Sequence, residues 1–171
     1  MILRSNKLFL RTPRTASTSL KQALLDTGGK QIADAHCRLA EMPIEYTWDN
    51  YEIFTVIRNP LDILVSWFTL NPGWKDFRQF IREYNHSYMT DNGLLFYHVP
   101  YCHRVFLYER LDEVEDYLSL KLPFLNTTNN KPNYRKMITQ SIIDETKKRF
   151  SKDLKIYKEF SSDKITTTLE W

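Results

Sequence analysis

The sequence predicts an α/β fold built on a mainly parallel central sheet flanked by helices. Three observations carry this. Short apolar or β-branched runs alternate three times with helical patterns along the 171 residues. Two of the strand-to-helix junctions have unusual chemistry, one rich in hydroxyls beside Arg14 and one opening on Arg58, and an open α/β sheet binds ligands at such turns. No repeat or linker interrupts the order. The length suits one domain over residues 1–171, with a tail from about 161.

The elements follow in order. Lys7-Leu8-Phe9-Leu10 is short, apolar and flanked by charge, and reads as a strand. A polar turn covers 12–17. From Thr18 onward Leu20, Ala23 and Leu24 share a helical face, and Gly28-Gly29 ends that helix. Residues 52–57, Glu-Ile-Phe-Thr-Val-Ile, form a β-branched and aromatic run typical of a buried strand. Arg58 follows, and Asn59-Pro60-Leu61-Asp62 starts a helix, with Asn at the N-cap, Pro at N1 and Asp at the positive end of the dipole. That helix should reach about Leu70. Apolar positions 74, 77, 80, 81 and 84 predict an amphipathic helix over 74–84. Residues 88–101 are irregular, and 104–108 read as a third strand. Asp112 caps a helix to about Leu120, 126–133 is a polar loop, and 139–160 is helical and basic. The lysines between 147 and 158 read as a solvated helix face. Most aromatic residues between Trp67 and Tyr101 read as core.

Composition narrows the class. With 42% hydrophobic and 26% charged residues the chain is not disordered. Four Gly and seven Pro exclude collagen-like and low-complexity readings. A net charge of +3 is too mild to imply nucleic-acid binding and suits a small anionic ligand. Cys37 and Cys102 form no CxxC pair, so a reducing, cytoplasmic setting is expected. Apolar runs such as 63–68 are too short to span a bilayer, and no leader peptide is expected.

The first junction, Pro13-Arg14-Thr15-Ala16-Ser17-Thr18-Ser19, leads from a strand into a helix. Backbone N–H groups at a helix N-terminus attract anions. The hydroxyls of Ser17, Thr18 and Ser19 add donors, and Arg14 adds a fixed charge. The same residues suit an ordinary capped helix equally well. A nucleoside-triphosphate loop needs G-x-x-x-x-G-K-[ST], and none of Gly28, Gly29, Gly73 and Gly93 lies in this turn. At the second junction Arg58 ends a strand, and Ser66 follows about two helical turns later. The two could converge on one phosphate. Alternatively Arg58 pairs with Asp62 and Ser66 merely packs.

Together the two motifs, P-R-T-A-S-T-S-L over 13–20 and V-I-R-N-P-L-D-I-L-V-S-W over 56–67, resemble the sulfotransferases that use 3′-phosphoadenosine 5′-phosphosulfate. Further likenesses extend to roughly residue 160. Asp34-Ala35-His36 followed by Trp48-Asp49-Asn50-Tyr51-Glu52 resembles the carbohydrate-type branch. Leu107-Tyr108-Glu109-Arg110-Leu111 is similar to a strand end near the adenine, and Asn126, Lys131 and Tyr134 to a late ligand-binding loop. The resemblance implies the sulfotransferase version of the P-loop fold. It implies that Arg14, Thr15, Ala16, Ser17, Thr18 and Ser19 hold the 5′-phosphosulfate and that Arg58 and Ser66 hold the 3′-phosphate. Tyr108, Lys131 and Tyr134 would complete the donor site, without a metal. The resemblance implies an acceptor hydroxyl on a small molecule or carbohydrate, and neither nucleic acid nor a membrane span is expected to be involved.

An acceptor hydroxyl needs a general base. His36 matches the family's histidine, and an imidazole's ordinary pKa near 6.5 suits the task. Glu41 and Glu45 are the alternatives. His86, His98 and His103 read as structural or acceptor-side residues, and the spacing of His98, Cys102 and His103 fits no standard zinc pattern. The chain departs from the family in having Arg14 where lysine is usual and Ala16-Ser17 where glycine is frequent. It also lacks the R-K-G-x-x-G segment of the enzymes that sulfate steroids and phenols. Two other readings stand beside this one: a nucleotide-binding module without transfer activity, and a P-loop kinase-like phosphotransferase.

Overall fold

The computed structural model describes residues 1–33, 50–71, 73–84, 95–125 and 138–162. Its strands are β1 (Ile2–Arg4), β2 (Lys7–Leu10), β3 (Lys30–Gln31), β4 (Glu52–Ile57) and β5 (Arg104–Leu107). They form one sheet in the order β3-β1-β2-β4-β5. The three strands read from the sequence, β2, β4 and β5, are neighbours and parallel. Leu8 lies beside Ile53, Leu10 beside Thr55, and Thr55 beside Val105.

The sheet as a whole is mixed, not mainly parallel, because β1 runs antiparallel to both β2 and β3. These added strands are three and two residues long, too short to leave a periodicity in the sequence. Ser5 takes φ 54° between β1 and β2, the positive φ that tight hairpin turns demand.

Side chains alternate across β4. Phe54 and Val56 face α1 (Ser17–Asp26) and α4 (Leu111–Leu118). Ile57 faces a larger cluster built by α2 (Pro60–Leu70), α3 (Phe77–Glu83), α5 (Gln140–Arg149) and α6 (Ser151–Ser161). Gly29 ends α1 by donating its N–H to Leu24 O at 2.7 Å, and a Cβ there would sit 2.5 Å from that same oxygen.

The start of α2 follows the sequence reading: Asn59 Oδ1 accepts from the Leu61 N–H at 2.9 Å, and Pro60 opens the helix. Other boundaries shift. α1 begins at Ser17 instead of Thr18. α3 begins at Phe77, because Asp76 caps it through the N–H groups of Arg78 and Gln79, at 2.7 and 3.1 Å. β5 stops at Leu107, and a 3-10 turn over Tyr108–Arg110 leads into α4. Asp112 therefore lies in the first turn of α4 and does not cap it. The predicted helix over 139–160 is two helices joined at Phe150. α5 packs on α3 while α6 packs on β5, and one straight rod could not reach both.

Asp153 in the first turn of α6 is fully buried. Its Oδ1 accepts from the N–H groups of Leu95 and Phe96 at 2.9 and 2.8 Å, and its Oδ2 has no partner. Burial pushes this carboxyl up from 3.8 to about 7, against the pull of the two N–H groups. Between those values the folded chain holds a proton that the unfolded chain has lost. Stability therefore falls as pH rises through that window. Asp153→Asn keeps an acceptor and removes the charge. Its gain in melting temperature over the parent should be larger at about pH 8 than at about pH 5. Equal gains in the two thermal melts would exclude a buried, protonated carboxyl.

Candidate functional site

Because β2, β4 and β5 are adjacent and parallel, their carboxyl ends share one edge. The turns at 11–16, 58–59 and 108–110 leave the sheet there, where α/β sheets bind ligands.

The first turn is tightly built. Thr15 is fully buried, and its hydroxyl donates to Thr12 O at 2.7 Å. Arg14 and Ala16 sit at φ 62° and 58°. Each left-handed non-glycine residue costs about 1 kcal/mol or more. Ala16 is the N-cap of α1 and supplies no side-chain acceptor, so no cap competes with an anion for the first-turn N–H groups. Ser17 and Ser19 are buried and Thr18 is exposed. Ser19 Oγ accepts from the Leu125 N–H at 3.3 Å. Ala16→Gly should relieve the backbone and stabilise the fold by up to about 1 kcal/mol, whereas Ala16→Val should destabilise it. Urea titration measures both, and a destabilised glycine variant would contradict the strain.

The two junctions are bonded to each other. Arg14 Nε donates to Ser66 Oγ at 2.8 Å, and Arg58 Nη1 donates to Arg14 O at 3.3 Å. Asp62 Oδ2 lies 3.8 Å from Arg58 Nε, too far for a hydrogen bond. Arg58 Nε is buried without a hydrogen-bond partner. The Arg58 guanidinium stacks 4.3 Å from the centroid of the Tyr108 ring. The Arg58–Asp62 pair expected under the plainer reading is thus present only as a long contact, and Ser66 takes part in a polar bond. Nearby, burial pushes the Glu109 carboxyl up, with Asp62 adding to the rise and Arg58 opposing it. Burial also raises the Tyr157 hydroxyl of α6, which hydrogen-bonds Glu109. The edge therefore carries arginines beside a partly desolvated carboxyl.

Of the residues read from the sequence, the structure brings together Arg14, Thr15, Ala16, Ser17, Thr18, Ser19, Arg58, Ser66 and Tyr108 on this edge. His36, Glu41, Glu45, Lys131 and Tyr134 lie outside the described residues.

Sequence reasoning missed a buried network beneath the first turn. His98 Nε2 lies 2.8 Å from Thr12 Oγ1 and 3.0 Å from Thr55 Oγ1, and Thr55 donates to Leu10 O at 2.9 Å. Burial pushes the imidazole down to about 4, so it is neutral at ordinary pH. A lone threonine inside the apolar run of β4 was the available signal. His98, Cys102 and His103 have partners of their own. The Cys102 thiol donates to His98 O at 3.4 Å, and His103 Nδ1 accepts from the Ile53 N–H at 2.9 Å. Among the described residues no three His, Cys, Asp or Glu side chains gather as a metal-ligand set, and no helix is long and apolar enough to cross a membrane.

Comparison with protein-family models, with curated proteins and with solved structures found no match for this chain.

Proposed function

We propose that the chain is a sulfotransferase of the P-loop α/β type, moving a sulfuryl group from 3′-phosphoadenosine 5′-phosphosulfate to an acceptor hydroxyl, such as one on a carbohydrate. The observation that supports this best is the bonded unit of Arg14, Arg58 and Ser66 beside the uncapped N-terminus of α1. Two cations and a set of N–H and O–H donors on one sheet edge suit a nucleotide with phosphate on both sides of its ribose. The buried Arg58 Nε, which has no hydrogen-bond partner, is a donor that a phosphate oxygen would satisfy.

In this reading the first turn of α1 and the hydroxyls of Ser17, Thr18 and Ser19 hold the 5′-phosphate. Arg58 and Ser66 hold the 3′-phosphate, with Tyr108 stacked beneath the guanidinium. Arg14 stabilises the negative charge that grows on the bridging oxygen as the sulfur–oxygen bond to the 5′-phosphate breaks. The acceptor oxygen forms the new bond to sulfur, and its proton passes to His36.

Arg14 where lysine is usual and Ala16-Ser17 where glycine is frequent favour one alternative, a module that binds the nucleotide without transferring from it. Turnover with sulfur-labelled donor separates the two. The donor assignment has its own test. A charge-assisted hydrogen bond contributes about 1.5–3 kcal/mol. Arg58→Ala should therefore weaken 3′-phosphoadenosine 5′-phosphate at least about tenfold and leave AMP nearly unchanged. Equal losses for both ligands in calorimetry would sink the assignment.

A further inference from the structure

α5 and α6 diverge from their joint at Phe150 and, with the first turn of α2, border a half-open pocket of about 480 Å³. Its volume falls in the range of small-molecule sites. Leu61, Ile143 and Leu154 line it. Among the described lining residues two carry hydroxyls: that of the buried Thr146 is already spent on Ile142 O at 2.9 Å, and Ser151 is exposed. The interior therefore offers apolar contact and little polar recognition.

The mouth is different. The lysines read from the sequence as a solvated face include Lys147, Lys155 and Lys158, and these three line the pocket with their side chains exposed to solvent. None forms an ion pair among the described residues. Glu159 is the one acidic group on the lining among the described residues, so the described rim is net positive. An apolar interior bordered by several cations matches one ligand chemistry, an apolar body carrying a single anionic head.

We propose that this cavity binds a small amphiphilic monoanion. Its alkyl or aryl body lies against Leu61, Ile143 and Leu154, and its carboxylate or sulfate lies among Lys147, Lys155 and Lys158. The site is separate from the sulfotransferase reading and does not rest on it.

Octanoate and 1-octanol are suitable probes, because they share a chain and differ in charge. Calorimetry on the full chain should give saturable one-to-one binding of octanoate and clearly weaker binding of octanol. Lys155→Ala combined with Lys158→Ala should weaken octanoate about five- to tenfold and leave octanol nearly unchanged. Leu154→Trp, which fills the cavity, should remove both. Should that variant fail to fold, methyl NMR of the parent gives the same information: octanoate should shift Ile143 and Leu154 selectively. The proposal is overturned by any of three results. These are no saturable octanoate binding, equal affinity for the alcohol, or affinity unchanged in the double lysine variant. Binding to anionic phospholipid vesicles without binding of free octanoate would overturn it too, since it would assign the lysines to a membrane surface.

Discussion

Arg14→Ala should lower the proposed sulfuryl-transfer rate at saturating donor by about 10²–10³-fold, the usual loss when one preorganised donor to a developing oxyanion is removed. The expectation rests on position as well as charge. Arg14 follows the carboxyl end of β2, its Nε is fixed by Ser66 at 2.8 Å, and its carbonyl is held by Arg58. Its side chain is oriented before any ligand arrives, so little reorganisation is needed during reaction. Alanine tolerates the φ of 62° no worse than arginine does, so the backbone should keep its shape. Arg14→Lys restores charge without the planar fork or the bond to Ser66, and should recover part of the rate. Steady-state kinetics beside thermal melts decide the matter. A residue that only braces the two junctions would lose stability and donor affinity together. A charge-stabilising residue loses rate at full occupancy with an unchanged melt.

His36→Ala should cost about 10²–10⁴-fold in rate, the range for removing a general base. Donor affinity should hardly change, because His36 is assigned to the acceptor side. The pH–rate profile adds a readout that packing alone would not move: the limb governed by the base should disappear in the variant. If the variant folds, binds donor and transfers at the parent rate, His36 is not the base. Glu41 would be replaced next and then Glu45, in order of sequence distance from the matched segment.

How much of this was legible in the sequence depended on the range of the forces involved. β2, β4 and α2 were readable because strand periodicity and the Asn59-Pro60 start act locally. β1 and β3 were not, because their short pairings gain their meaning only from each other and from β2. The break at Phe150 was hidden for a similar reason. The local pattern allows a continuous helix, and only the separate docking of α5 on α3 and α6 on β5 forbids it. In the candidate site, Arg14 and Arg58 stood out by residue type at strand-to-helix turns, and Ser66, inside α2, by its spacing from Arg58 and by the resemblance. The His98–Thr12–Thr55 network joins residues 43 and 86 positions apart, and no local rule connects them. Nothing local marks Asp153 within the basic stretch 139–160; its burial is explained by the N–H groups of Leu95 and Phe96 that it accepts from.

The strand order also governs how the molecule meets other chains. A sheet's outer strands expose unpaired backbone groups that can recruit a neighbouring chain into a growing ladder. Among the described residues the outermost positions belong to β3 and β5. β3 has only two residues and begins with the exposed Lys30. β5 has four, begins with the exposed Arg104 tied to Glu52 at 2.6 Å, and is packed by α6. Short length and cationic side chains are the devices by which natural sheets resist edge-to-edge aggregation. The two strands without a periodic signature thus cover β2 and leave a two-residue strand as the edge on that side among the described residues, where the parallel core alone would have exposed β2.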